Sequence, residues 1–387
     1  MQSTSLQTEN RIKYKDESWD FRKDFTKYSN HGFHTYPAMM IPQVARRLIQ
    51  MYGKDKEVLL DPFMGSGTAL LEAKLHKNFK KAYGIDINPL ALLISKVKTT
   101  PINPEILKEE YHQLVSRCNA DKKAVNFREK EITKPDFFNI GFWFKPQVIT
   151  DLAIIKQNIE KIKDNDIKDF FLIAFSETVR NVSNTRNREY KLYRMSQIML
   201  QKHNPNTFEE FKSKASKSIV GMEEYFKVHN PKCQVNILAE DTRNLTSIPA
   251  NSVDLIVTSP PYGDSRTTVA YGQFSRLGLQ WLDYGKDEVL NIDKVSLGGI
   301  PTKDLDNGLG SPTLKKTLNE ISKIDPRRAK DVLSFYVDFD KCVKELHRVT
   351  KKKAFICFVV GNRTVKGVQI PTDEIILELF QAKNHYK

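Results

Sequence analysis

The sequence predicts an α/β fold: a doubly wound, mostly parallel sheet broken by a long helical insertion. Three observations lead there. Short branched runs at Glu57–Asp61, Lys81–Ile85, Val235–Leu238 and Val253–Thr258 end in acids or in a proline stop, helical spacing follows the first two, and no strand run occurs from about Pro101 to Pro231.

Size and charge set the bounds. The 387 residues, 40% of them hydrophobic, suffice for one large domain with insertions or for two domains. Sixty-one Lys and Arg against 47 Asp and Glu give a net charge of +14, which favours a polyanionic partner, although ribosomal and membrane-surface proteins share that bias. Cys118, Cys233, Cys342 and Cys357 form no C-x-x-C pair and stand near no histidine cluster. They read as reduced thiols of a cytoplasmic protein without a metal site. An apolar leader and an apolar span of membrane length are both lacking, so neither secretion nor membrane insertion is expected.

Residues 1–30 are polar and read as an arm. His31–Pro42 leads into helical spacing over Val44–Tyr52. The strand Glu57–Asp61 is followed by Pro62-Phe63-Met64-Gly65-Ser66-Gly67-Thr68 and a helix from about Ala69 to His76, the start of a βαβ nucleotide-binding unit. Gly65 and Gly67 let a ligand lie against bare backbone, and the helix N-terminus behind them favours a negative group. Leu70 stands where a dinucleotide fingerprint would place its third glycine, and no Lys-Ser/Thr follows as in a P-loop. The second strand ends at Asp86, where this fold grips ribose hydroxyls. Ribose without a pyrophosphate loop points to S-adenosylmethionine, while the alternative for Asp86 is a cap for the helix Asn88–Lys96.

The insertion, 101–231, is helical by pattern, as in Val148–Ile162 and Phe208–Phe226. It carries Arg180, Arg186, Arg188, Lys191 and Arg194 among asparagines and tyrosines, a candidate surface for phosphates and bases, with an ordinary solvated basic loop as the other reading. The third strand leads to Glu240-Asp241, where an acid could accept from an adenine amino group. The fourth, Val253–Thr258, stops at Ser259-Pro260-Pro261-Tyr262-Gly263. Two prolines remove two backbone donors and fix two φ angles, which leaves the Ser259 and Pro260 carbonyls as rigid acceptors beside the Tyr262 ring. Such a set suits a planar ring bearing an exocyclic NH2, unless the tetrapeptide is only a strand-ending turn or a proline-rich ligand. A polar loop with Arg266 follows. Residues 285–325, rich in Gly, Asp, Lys and Pro, read as a surface excursion. A helix Ala329–Arg348, a fifth strand Ala354–Val360 and a last helix Thr372–Lys383 complete the pattern.

Asp61–Thr68, Gly84-Ile85-Asp86-Ile87-Asn88-Pro89 and Thr258–Tyr262 resemble the cofactor loop, ribose acid and catalytic motif of bacterial DNA amino-methyltransferases of restriction–modification systems. Phe33–Pro42 is similar to the family's leading cofactor segment, with Met39-Met40 in place of an expected basic residue, and the resemblance continues through Ser265–Phe274 and Val360–Arg363. It implies a class I methyltransferase Rossmann-like fold, with a cofactor-binding half at 31–100, a possible DNA-recognition insertion at 101–231 and a catalytic half at 232–387. It also implies S-adenosylmethionine as cofactor, held by Tyr36, Asp61, Phe63, Gly65, Gly67, Asp86 and Asp241. Ser259, Pro260, Pro261 and Tyr262 would take a base flipped out of double-stranded DNA. The family's Ser-Pro-Pro-Tyr version is associated with cytosine N4, and an Asp or Asn in the first position with adenine N6. Cytosine N4 is therefore the expectation, ahead of adenine N6, a tRNA guanine N2-methyltransferase or a non-catalytic DNA-binding subunit.

Members of this fold carry two further antiparallel strands beyond the fifth, and no pattern for them follows Thr372–Lys383. A second polypeptide completing the sheet is one expectation; a shortened chain, or the arm folding back, are the others.

Overall fold

The structure is a computed structural model that describes residues 15–186, 189–264, 267–305 and 308–383. Five strands form one parallel sheet: β1 (Val58–Asp61), β2 (Lys81–Ile85), β3 (Gln234–Leu238), β4 (Val253–Thr258) and β5 (Thr350–Phe358), in the spatial order β3-β2-β1-β4-β5. Leu59 and Leu60 of β1 pair with Ala82 and Tyr83 on one side and with Leu255 and Ile256 on the other. The strand order therefore reverses between β1 and β4, and a crevice opens at their carboxyl ends.

Side-chain alternation along the strands decides which helices cover which face. Leu59, Ala82, Leu255 and Val257 pack on α1 (Pro42–Tyr52) and α2 (Thr68–Leu75). Leu60, Ile85, Val253 and Ile256 face the opposite way. They meet α12 (Pro312–Ile324), α13 (Pro326–Val349) and α14 (Thr372–Gln381).

The helical insertion folds as expected. After α3 (Pro89–Thr99) come α4 (Pro104–Asn126), α5 (Ile140–Trp143), α6 (Pro146–Ile159), α7 (Asn165–Val182), α8 (Gln197–Lys202) and α9 (Thr207–Val228). Their starts are written locally: the side chains of Asn103, Asp164, Ser196 and Asn206 each accept a first-turn amide. The insertion's core merges with α3 through Leu90, Ile94 and Val97, and with α10 (Tyr271–Trp281) through Phe274, Leu277 and Trp281.

Three expectations need correction. Residues 285–325 are not an irregular excursion, because they hold α11 (Lys286–Val295) and α12, which bury Val289, Ile292, Leu314, Leu318 and Ile321. The turn residues that dominate their composition stand between these short helices: Gly298 sits at φ +66 and Ser311 caps α12. Residues 15–30 are not a free arm throughout, since Ser29 and Asn30 are buried and Asn30 Nδ2 donates to the Lys98 carbonyl at 2.8 Å. The fifth strand begins at Thr350, so Lys351, Lys352 and Lys353 lie on it. Lysines on an edge discourage unwanted strand pairing.

Beyond β5, β6 (Arg363–Val365) and β7 (Val368–Ile370) form a separate antiparallel hairpin. It turns at Lys366-Gly367, both at positive φ (52 and 82), as a two-residue hairpin turn requires. Among the described residues no strand pairs with the outer edge of β5.

Glu72 on α2 fastens the N-terminal segment to this frame. Its buried carboxylate accepts from the Tyr28 hydroxyl, from His31 Nε2 at 2.9 Å and from Arg46 Nε at 2.9 Å. Burial alone would raise its pKa, but the bonds from His31, Tyr28 and Arg46 outweigh burial and hold it below the usual carboxylate range. Glu72→Ala strands these donors and is expected to cost about 3 kcal/mol of stability, read as a lower urea midpoint; an unchanged midpoint would count against this anchor.

Candidate active site

The crevice at the strand ends is a cleft partly open to solvent, about 900 Å³ with the solvent at its mouth included. Tyr36, Asp61, Phe63, Gly65, Asp86 and Asp241 line it together with Ser259 and Pro261. Residues expected to hold a cofactor and residues expected to hold a base thus share one continuous space. Gly67, Pro260 and Tyr262 adjoin these residues in sequence but are not among those that line the cleft.

The glycine turn is shaped by its backbone. Gly65 and Gly67 have φ of +48 and +74, and a Cβ on Gly67 would fall 2.7 Å from Ser95 Oγ and 2.9 Å from Ser95 Cβ. Ser95 Oγ donates to the Gly65 carbonyl at 2.9 Å. Gly67 is the N-cap of α2 and supplies no side chain, so the first amides of α2 have no side-chain cap beside the cleft.

Asp86 is both cap and wall. Its carboxylate accepts from Gly65 N at 3.0 Å and Asn88 N at 2.8 Å, and burial pushes its pKa up to about 6 against those bonds. The two readings of this acid are therefore joined: it orders the glycine turn and keeps oxygen lone pairs at the cleft. Asn88 caps α3 with its carbonyl oxygen and donates Nδ2 to the Tyr36 hydroxyl at 3.0 Å and to Ser275 Oγ at 2.7 Å. Tyr36 stacks on Tyr271, with ring centroids 5.8 Å apart. Burial, with Asp86 nearby, keeps its phenol neutral.

Asp61, fully buried, joins the two halves. It accepts the Thr258 hydroxyl at 2.6 Å and Phe63 N at 3.2 Å. Thr258 is the last residue of the strand that carries Ser259. Burial raises the Asp61 pKa to about 7, and the neighbouring Asp86 adds to the rise.

On the catalytic strand, Ser259 Oγ donates to the Val359 carbonyl at 2.9 Å. Its one proton is thereby committed to the backbone, so the hydroxyl oxygen presents lone pairs. Tyr262 is half-buried, and its ring edge lies 3.7 Å from where a Cβ on Gly361 would stand. Behind it, Asp264 is fully buried, accepts from Thr267 N at 3.0 Å, and faces Arg363 Nη1 at 3.7 Å.

The far wall differs from expectation. Asp241 lines the cleft, but its carboxylate is engaged by Arg243 Nε, 2.9 Å from each oxygen. Arg243 also reaches Asp338 at 2.9 Å and the Val295 carbonyl at 2.7 Å. This clamp holds Val295–Leu297, at the end of α11, against the cleft, where they line it with Ile292. Sequence reading missed Arg243, Asp338 and Ile292 because they lie outside any motif, and it gave Tyr271, within Ser265–Phe274, no role of its own. The buried apolar spacing of α11 was the one available signal.

Of the basic residues singled out, Arg180 is buried. It donates to the Glu189 carbonyl and stacks over Phe274, 4.1 Å from the ring centroid. Desolvation makes such a position costly for a cation, so its place is internal bracing rather than a phosphate contact. Arg186 is exposed, and Lys191 and Arg194 are partly so, on the adjoining loop. Arg188 and Arg266 lie outside the described residues. Among the described residues no cluster could hold a metal ion, and no helix is long and apolar enough to cross a membrane.

The Asp61 position yields a pH test. Its folded pKa is raised, so the folded state binds the extra proton, and stability falls as pH rises from 3.8 toward about 7. Asp61→Asn removes that slope. The melting temperature of wild type relative to the variant should fall over this window, and parallel curves would contradict the assignment.

Comparison with known proteins agrees with the geometry. A family model described as DNA methylase, for N6 and N4 enzymes, matches residues 2–96. The chain is 44% identical over 379 residues to the Type II methyltransferase M.MvaI of Kocuria varians, covering 93% of this chain and 82% of that protein. It is 23% identical over 223 residues, 42% of each chain, to the Type II methyltransferase M.MjaII of Methanocaldococcus jannaschii. No solved structure matches significantly. With these relatives, and with a glycine turn and a Ser-Pro-Pro-Tyr strand end opening on one cleft, the chain belongs to the DNA amino-methyltransferases of bacterial restriction–modification systems.

Proposed function

We propose that the protein transfers a methyl group from S-adenosylmethionine to the exocyclic amine of a base flipped out of double-stranded DNA, and that the base is cytosine, at N4. The observation that supports this reading best is the shared cleft of Gly65, Asp86 and Ser259, with the Ser259 proton committed to Val359.

The residues present fit such a cofactor. Gly65 and the first turn of α2 suit its methionine carboxylate, Asp86 its ribose hydroxyls, and Phe63 and Ile292 its apolar parts. Asp241 was expected to take the adenine amine; it can do so only with the oxygen lone pairs that Arg243 leaves. When bound, S-adenosylmethionine supplies an electrophilic sulfonium methyl.

An exocyclic amine is a poor nucleophile because its lone pair is delocalised into the ring. The lone pairs of Ser259 Oγ and the Pro260 carbonyl accept the amine hydrogens and localise that pair on nitrogen. These bonds strengthen as positive charge develops on nitrogen, which lowers the barrier. Pro261 and the lack of backbone donors keep the acceptor set rigid. Tyr262 stacks on the flipped base and offsets part of its unstacking cost of a few kcal/mol. No thiolate enters this scheme, and Cys357 on β5, the thiol on the neighbouring strand, is held protonated by burial, its pKa raised to about 11. The serine in the first motif position supports cytosine over adenine by resemblance.

The test is to incubate the protein with labelled S-adenosylmethionine and either DNA or tRNA, then to identify the methylated nucleoside. N4-methylcytosine is expected. N6-methyladenine would change the base, and label in tRNA alone would overturn the reading.

The assigned roles separate by kinetics. Tyr262→Ala is expected to lower kcat on the order of a hundredfold with little change in cofactor Kd, whereas Asp86→Ala should raise that Kd about tenfold or more. Equal losses in both quantities for both variants would contradict the division of labour.

A further inference from the structure

Helix α5 and the loop before it leave Phe138 78% and Phe142 43% exposed. Burying one such ring is worth about 1.5–3 kcal/mol, so two of them four residues apart call for a partner. Asn184 and Arg194 of the loop 184–195 pack against Phe142 and Trp143. Asn184 N donates to the Trp143 carbonyl at 2.7 Å, and Arg194 Nε donates to the Phe142 carbonyl at 3.1 Å. The loop is closed by the Thr185–Arg194 bridge and by Arg186 N on the Tyr193 carbonyl at 2.9 Å.

The charges on this face are arranged for an outside partner. The Arg194 guanidinium lies 4.3 Å from the Phe142 ring centroid, and that of Arg186 lies 5.9 Å from Tyr193. Among the described residues no carboxylate forms an ion pair with Arg186 or Arg194, whereas Lys191 lies near the Asp293 carboxylate. Cations held on rings and left without anions suit phosphates, and exposed rings suit the faces of unstacked bases. The same loop packs on α10: Leu192 N donates to Gln273 Oε1 at 3.3 Å, and Tyr190 packs on Phe274, 6.2 Å between centroids. Phe274 is on α10, the helix whose first residue, Tyr271, walls the cleft.

We propose that Phe138, Phe142 and Tyr193 form a stacking face for DNA bases exposed where the duplex opens to release the target, with Arg186 and Arg194 on the flanking phosphates. This rests on the reading of the protein as a DNA methyltransferase. Duplex DNA is the occupant because exposed rings and the Arg186 and Arg194 cations occur together, on a loop that packs on α10.

The test uses the full chain and two short duplexes of the same mixed sequence, one intact and one with a central abasic site that leaves bases unstacked. Binding is read by fluorescence anisotropy. Wild type should prefer the opened duplex, and Phe138→Ala/Phe142→Ala should lose that preference by roughly tenfold, the worth of one to two stacked bases. Arg186→Ala/Arg194→Ala should instead weaken both duplexes alike and flatten the salt dependence by about two phosphate contacts. Binding of S-adenosylhomocysteine, measured by calorimetry, should stay unchanged in both variants and so report an intact fold. Phe138→Ala alone, the change at the more exposed ring, should lose part of the preference and guards against misfolding of the double variant. If the aromatic variants keep the preference while wild type methylates plasmid DNA, the stacking face is wrong and the methyltransferase reading stands. If wild type methylates no DNA, both fall. If the face instead retains an acidic protein and no duplex, the proposal is overturned.

Discussion

The bond from the Thr258 hydroxyl to the buried Asp61 carboxylate, 2.6 Å long, fixes the relation on which the rest depends. Asp61 ends the strand that delivers the glycine turn, and Thr258 ends the strand that delivers Ser259. Parallel pairing of β1 with β4 already sets the two ends side by side. The hydrogen bond then removes the remaining freedom where a small error would matter most. Transfer between two bound groups tolerates little misplacement, because reacting atoms must sit near contact distance in line. A second bond, from Thr242 Oγ1 to the Pro62 carbonyl, ties the third strand end to the same turn. Three strand ends thus converge on residues 61–68, and the cleft is their common boundary.

Much of this was legible in the sequence, and the reason is local. The strand bounds of β2 and β4, the glycine turn, Asp86 and the proline stop are each dictated by short-range chemistry: branched runs, positive φ, a cap, a fixed φ without an amide. What escaped was the contribution of distant segments. Residues 285–325 looked irregular because glycine, proline and aspartate dominate their composition, yet these residues only mark the boundaries of α11 and α12. The α11 face that closes the cleft is chosen by packing against α10 and by the Arg243–Asp338 clamp, and neither can be read from a window of ten residues. Arg180 is the converse case. Arg186, six residues on, is exposed, but the periodicity of α7 turns Arg180 inward.

Three ionic groups, two of them buried and Asp241 about a third exposed, share one logic. Glu72, Asp264 and Asp241 each sit where a loop or terminal segment joins the frame, and each is met by an arginine or by several donors. Such pairs add little net stability compared with well-packed apolar residues, but removing one partner is costly, so they specify one arrangement over near neighbours. Here the arrangements specified are the docking of residues 28–36, the backing of the catalytic loop by Arg363 and the closing wall at Val295–Leu297. Hydrophobic burial holds the helices on the sheet. The ionic contacts decide how its carboxyl edge is finished.

The two acids at the centre of the cleft show why this finish suits a cationic ligand. Asp61 is buried and Asp86 partly so, neither forms an ion pair among the described residues, and Asp86 adds to the rise of the Asp61 pKa, so ionising both is unfavourable. A sulfonium placed between the glycine turn and Ser259 would bring the positive charge that these carboxylates lack. The same charge would be out of place beside the clamp at Asp241, where Arg243 already supplies one. The electrostatics of the cleft therefore have a direction, with uncompensated acid at the β1 and β2 ends and a neutralised pair at the β3 end. That polarity would suit a ligand having a cationic centre at one end and a neutral heterocycle at the other, with the cationic end toward β4.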